Sequence, residues 1–270
     1  MAASTATVAG TSPRIVSSAH SFSSHASGEI LPSTWRVITL PKVPPNKFAL
    51  VADVSTGTTV LRIESNSSAG ALGLPISSRD AAPSATLQWR WKVDRVLARA
   101  DMRSKRGDDF AARVYVFFEV PLDSLPFFEW VKIKLVRMLS GADVPTAALC
   151  YVWDNQQPIG HTQWSPYTNR VRMLVLQSGA PRINQWVTET RDVAADFRAA
   201  FGRDAPRITG VAVANDTDNA GEQVTTWFGD LHLSTLFAPS SPSSPSSPSS
   251  PTPSPSSSAS PPSAPTLVPP

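Results

Sequence analysis

Between Thr86 and Val93 the residues alternate without a break, with Leu87, Trp89, Trp91 and Val93 on one side and Gln88, Arg90 and Lys92 on the other. Successive side chains of an extended chain point to opposite faces, so this pattern describes a strand with one dry face and one wet face. Phe110–Val120 repeats it, with Phe110, Ala112, Val114, Val116 and Phe118 on one side and Arg113 and Tyr115 on the other. These two runs are expected to be central strands. Further β-rich runs are Trp35–Leu40, Lys47–Val54, Thr58–Glu64, Ala147–Asp154, Val171–Gln177, Trp186–Arg191, Ile208–Asn215 and Val224–Ser234. Ser55-Thr-Gly57 joins two of them as a hairpin turn. Many strands without βαβ alternation predict an all-β fold: an antiparallel, jelly-roll-like β-sandwich.

Two short helical insertions are expected within it. Asp192 is suited to cap a helix carrying Val193, Phe197 and Phe201 at four-residue spacing, with Gly202 placed to close it. The second runs from about Phe127 to Leu139 and is unusually apolar, fit either to pack over the sandwich or to dock on a partner or a membrane surface.

Composition bounds the domain. Of the 270 residues, the last 32 hold 12 prolines, 14 serines and no charged side chain. Of the first 27, 17 are Ser, Thr or Ala. Neither stretch has enough apolar groups to offset the entropy of ordering, so the expectation is a disordered segment 1–27, a β-sandwich domain 28–237 and a disordered Ser/Pro-rich tail 238–270. The net charge of +3 is spread without a basic run, which argues against nucleic-acid binding. No apolar stretch reaches the roughly 20 residues of a membrane helix, so no transmembrane segment is expected. Residues 1–27 show no recognisable signal peptide. The single cysteine, Cys150, excludes an internal disulfide and reads as a small buried hydrophobe.

The strings Leu87-Gln-Trp-Arg-Trp-Lys-Val93, Gly107-Asp-Asp-Phe-Ala-Ala-Arg-Val-Tyr-Val116, Leu149-Cys-Tyr-Val-Trp153 and Asp216-Thr-Asp-Asn219 together resemble an uncharacterised bacterial domain-of-unknown-function family, number 3047 of that series. Arg191-Asp192, Phe201-Gly202 and Phe228-Gly-Asp230 extend the likeness over about residues 28–237. The resemblance implies a secreted or periplasmic β-sandwich. A looser likeness joins Gly28–Trp35 and Phe228–Leu233 to carbohydrate-binding jelly-roll modules.

Three groups of residues could carry chemistry. Asp216, Asp218, Asn219 and Glu222 offer the hard oxygen ligands of Ca²⁺, although the spacing is not that of an EF-hand and a plain turn selects the same residue types. Asp108, Asp109, Arg113 and Tyr115 place carboxylates beside a cation on a strand's polar face, as an internal ion pair or a ligand site. Trp153, Trp164 and Tyr167 flank the loop Asp154–Arg170 and suit an aromatic platform for a sugar. No nucleophile, zinc or phosphate-loop motif occurs. The expected function is therefore a non-catalytic, extracytoplasmic module that binds carbohydrate or a cell-envelope ligand, with Ca²⁺ as its one candidate cofactor. The alternative is a hydrolase or lyase using Asp108, Asp109, Asp216, Asp218 and Arg113, which requires the two acidic segments to meet in space.

Overall fold

A computed structural model describes residues 14–76, 85–119 and 147–237. The expected helix 127–139 and the tail 238–270 lie outside the described residues. Among those described, 14 strands form two seven-stranded sheets, with one helix. In chain order they are β1 (Arg14–His20), β2 (Arg36–Ile38), β3 (Lys47–Asp53), β4 (Thr58–Asn66), β5 (Ala69–Pro75), β6 (Ala85–Val93), β7 (Phe110–Phe118), β8 (Ala147–Asp154), β9 (Thr162–Ser165), β10 (Thr168–Ser178), β11 (Val187–Asp192), α1 (Val193–Phe201), β12 (Ile208–Asp216), β13 (Gln223–Phe228) and β14 (Leu231–Phe237).

The first sheet runs β1-β14-β6-β13-β4-β3, with β11 paired to the other side of β6. The second runs β2-β5-β12-β7-β8-β10-β9. On β6 the alternation holds as read: Leu87, Trp89, Trp91 and Val93 are buried. They meet the inward residues of β8, with Trp89 5.3 Å from Tyr151 and Trp91 5.9 Å from Trp153 between ring centroids. Each such side chain contributes roughly 1.5–3 kcal/mol by leaving water, which makes this aromatic layer the centre of the sandwich. α1 is capped as expected: the Asp192 carboxylate accepts from the Ala195 amide at 3.0 Å, and Gly202 ends the helix at φ 69°. Phe197 then packs tilted against Phe118, with ring centroids 4.5 Å apart.

Three expectations are corrected. The domain begins before Gly28. β1 pairs with β14 from Arg14↔Phe237 to His20↔Leu231, and Phe22 is fully buried, 5.1 Å from Trp35. The Phe22 and Ser23 amides donate to Asp230 at 2.8 and 3.0 Å. An edge strand draws on backbone pairing and one anchoring aromatic, so a Ser/Ala-rich composition does not exclude it. The sandwich also contains one parallel pair, β8 with β10, because β9 and β10 form a hairpin whose second strand lies next to β8. Finally, Phe110 does not share the inward face of Ala112 and Val114. The register between β7 and β12 shifts between Ala214↔Arg113 and Asp216↔Phe110, and this bulge carries Phe110 to the outward face. There it packs with Met102, Cys150, Val152, Met173 and Val175.

Candidate functional site

The bulge at the start of β7 builds the site. It brings Phe110 and Arg113 together, with the guanidinium carbon 4.2 Å from the ring centroid, and aims Asp216 at the end of β12 towards both. Asp216 Oδ1 accepts from the Phe110 amide at 3.0 Å and from Arg113 Nε at 2.8 Å, while Oδ2 accepts from Arg113 Nη2. Arg113 Nη1 also donates to the Tyr115 hydroxyl at 3.1 Å and stands 3.7 Å from Asp108 Oδ2. The loop before β7 folds back through Gly107, whose carbonyl accepts from the Asp101 amide at 2.8 Å. A Cβ at Gly107 would stand 2.7 Å from the Asp101 nitrogen, so only glycine allows this approach. The turn sets Asp108 beside Arg113.

Asp109 is fully buried and anchors the β12–β13 loop. Its Oδ1 accepts from the Asn219 amide and side chain at 3.3 and 3.0 Å, and its Oδ2 from the Ala220 amide at 2.5 Å. Oxygens of Asp109, Asp216 and Asp218 lie within 4.8 Å of one another, so the two acidic segments do meet. Burial pushes the Asp216 carboxyl up to about 8 against the pull of Arg113, with Asp109 and Asp108 pushing the same way. Burial likewise raises Asp108, which Asp109 and Asp218 repel, and raises Asp218, which Asp109 repels. The Tyr115 hydroxyl is held well above its usual range by burial. Hard oxygen donors such as these could hold a divalent cation.

The remaining expected residues divide. Glu222 does not join the cluster: it accepts from the Ala98 and Arg99 amides at 3.0 and 2.8 Å. Gly221, at φ 64°, turns the chain away before it. Asn219 serves as a donor to Asp109. Trp153 is no platform, being 1% exposed in the core with its indole nitrogen donating to the Gly179 carbonyl at 3.1 Å. Its phase with Leu149 and Tyr151 along β8 carries that signal in the sequence. Trp164 packs edge-on against Phe201 at 5.3 Å, beneath the Arg172 guanidinium. Tyr167 is 55% exposed; its hydroxyl donates to the Lys105 carbonyl at 2.7 Å. Burial first, then the charges of Asp108, Asp218 and Asp109, raise that hydroxyl. Cys150 is buried, its thiol pushed up to about 12 by burial, and is inert.

Sequence reasoning missed a second charged cluster, on the outward face of the first sheet. The Trp186 indole nitrogen donates to Asp53 at 2.7 Å, and Lys92 lies 4.9 Å from Trp186 and 4.8 Å from Trp227. The outward phase of Arg90 and Lys92 on β6 was its only local sign. A pocket of about 430 Å³, lined among others by Lys47, Glu64, Asn66, Asp94, Arg95 and Gln223, has no aromatic wall and lies apart from the carboxylates.

The family model described as a protein of unknown function, DUF3047, matches residues 33–232. The chain belongs to this family. No curated protein matches the family member in hand. Among solved structures it is similar to a winged bean acidic lectin complexed with methyl-α-D-galactose, at 12% identity and TM-score 0.39, over 83% of this chain and 100% of that one. It is also similar to a family 12 xyloglucanase from Bacillus licheniformis, at 8% identity and TM-score 0.41, over 82% of this chain and 100% of the other. A further similar structure is the family GH12 endoglucanase 3 of Trichoderma harzianum, at 9% identity and TM-score 0.39, over 85% of this chain and 100% of that enzyme. No helix among the described residues is long and apolar enough to cross a membrane.

Proposed function

We propose that this DUF3047 protein is an extracytoplasmic β-sandwich that binds a carbohydrate or other cell-envelope ligand without turning it over. The observation that carries this reading is Tyr167, 55% exposed, with the Lys105 ammonium 5.5 Å from its ring centroid and its hydroxyl on the Lys105 carbonyl at 2.7 Å, beside the loop that leads to Asp108. Sugars are held by an aromatic face together with a few fixed polar groups. Asp109, Asp216 and Arg113 are hydrogen-bonded to one another's segments and keep that edge in shape. The uncharged Ser/Pro composition of residues 239–270 supports a location outside the cytoplasm, where such segments serve as stalks. A glycan array probed with the full chain tests the reading. A defined subset of glycans is retained, and Tyr167→Ala weakens retention at least about tenfold with an unchanged melting temperature. Folded wild type that retains no glycan contradicts it. Fractionation of the native host with an antibody to the sandwich tests the location.

One observation favours a second reading, a carboxylate-dependent hydrolase or lyase: Asp108 and Asp216 both stand at Arg113, oxygens of Asp109, Asp216 and Asp218 lie within 4.8 Å of one another, and Asp216 at about 8 can keep a proton at neutral pH. It requires that a retained glycan be shortened on incubation, by mass spectrometry, and that Asp216→Asn abolish the shortening.

A further inference from the structure

On the outward face of the first sheet, the strand register sets a pocket, an indole and a cation in successive rows. Thr225 stands opposite Glu64 and Glu64 opposite Lys47, while the Asp94 carboxylate accepts from the Thr225 amide at 2.9 Å; all four line the cavity of about 430 Å³. Two residues along the same strands, and so on the same face, Trp227 pairs with Arg62 and with Lys92. Such rows are about 7 Å apart, which makes the partly exposed Trp227 the next side chain along from the cavity. Arg90 follows one row further and is held on three sides. Its stem lies across Gly229, where a Cβ would stand 2.5 Å from Cγ; its guanidinium carbon is 4.7 Å from the Trp186 centroid; and Nη2 donates to Thr58 Oγ1 at 2.9 Å. Most cations here already face a carboxylate: Lys92 has Asp53 at 3.4 Å, Arg62 has Glu64 at 3.1 Å and Arg95 has Asp94 at 3.1 Å. Arg90 and Lys47 have none among the described residues.

Resting on the carbohydrate reading, we propose that this face binds an acidic glycan, with one sugar residue in the pocket, the chain crossing Trp227 and a uronate carboxylate on Arg90. The cavity falls in the roughly 300–1,000 Å³ range of small-molecule sites, and its walls include polar side chains of both signs, which suits a polyhydroxylated ring. An indole next to fixed polar groups is the combination that holds such a ring. The acidic character follows from Arg90. A guanidinium already seated on an indole and a threonine loses little freedom on pairing, and its planar donors match a carboxylate. Asp53 and Lys92 keep their structural part, since the Trp186 indole that backs Arg90 is fixed by Asp53 at 2.7 Å. Tyr167 belongs to the β9–β10 hairpin of the other sheet, so the two surfaces can be separated by experiment.

The test is an NMR titration of the full chain with oligosaccharides of galacturonate and of mannuronate, each as the acid and as its uncharged methyl ester, followed through backbone amide shifts. Amides around Arg90, Thr225 and Trp227 shift with one of the acids at a Kd below about 1 mM, its ester binds at least about tenfold more weakly, and both results persist in Tyr167→Ala. Arg90→Met weakens the acid about tenfold or more and changes the ester less than about twofold. Lys47 is exposed, so Lys47→Gln keeps the fold and weakens the acid about two- to fivefold, which carries the test if Arg90→Met does not fold. Folded wild type whose outward-face amides shift with neither acid overturns the proposal, as do equal affinities for acid and ester. Shifts confined to the amides around Tyr167 overturn it too and leave the carbohydrate reading standing, as does an array that retains neutral glycans alone. No shift with any oligosaccharide, together with an empty array, overturns both.

Discussion

Two aspartates on opposite sheets carry opposite shifts. Asp53, at the end of β3, is held at about 2, whereas Asp216 is pushed up to about 8. Burial raises both and is the largest influence on each. At Asp53 it is outweighed by hydrogen bonds from Thr56, Ser55 and Trp186 and by the charge of Lys92, one cation to one carboxylate. At Asp216 the single guanidinium is shared with Asp108, and Asp109 adds a further negative charge. The first cluster is complete with the protein's own groups and reads as structural. The second is unbalanced, and an unbalanced buried cluster is where a ligand or ion has work to do.

The strongest way to break the comparison is Arg113→Met. It strands the buried carboxylates of Asp216 and Asp108 and is expected to cost about 3–5 kcal/mol, read as a lower urea midpoint with an unchanged slope, or as failure to fold. Trp186→Ala removes the indole donor to Asp53 and the ring beside Arg90 and Lys92. About 1–2 kcal/mol is expected, or roughly 2–8 °C in melting temperature. The acid limb sharpens the contrast further. Asp53 has a depressed folded-state value, so its stabilisation is present above its usual value of 3.8 and is lost as pH falls towards about 2. Melting followed from pH 5 to pH 2 should decline less steeply in Asp53→Asn than in wild type. Smallest is Glu222→Gln, which weakens two hydrogen bonds to the Ala98 and Arg99 amides and should cost under about 1 kcal/mol.

How far this contrast was legible follows from the range of the interactions. Strict alternation on β6 marked the strand and its inward tryptophans, because a period of two is a local property of extended backbone. The same rule placed Phe110 inward, since a bulge leaves no local trace when its partner strand is about a hundred residues away. Trp153 borders a polar loop suited to a platform, yet its phase with Leu149 and Tyr151 along β8 puts it in the core. The acidic segments around Asp109 and Asp216 were visible as candidates, and their pairing with Arg113 was an open alternative, because only the β7–β12 register brings them together. Trp186 and Asp53, 133 residues apart, gave no shared signal at all. Glu222 carries the charge of a ligand, but the turn at Gly221 takes it to the Ala98 and Arg99 amides.

The most direct measurement is an NMR titration of the full chain that follows the Asp53 and Asp216 carboxyl carbons. Asp53 is expected to stay ionised down to about pH 2 and Asp216 to take up a proton near pH 8. Asp216 titrating at or below its usual value of 3.8 would contradict the contrast between the two clusters.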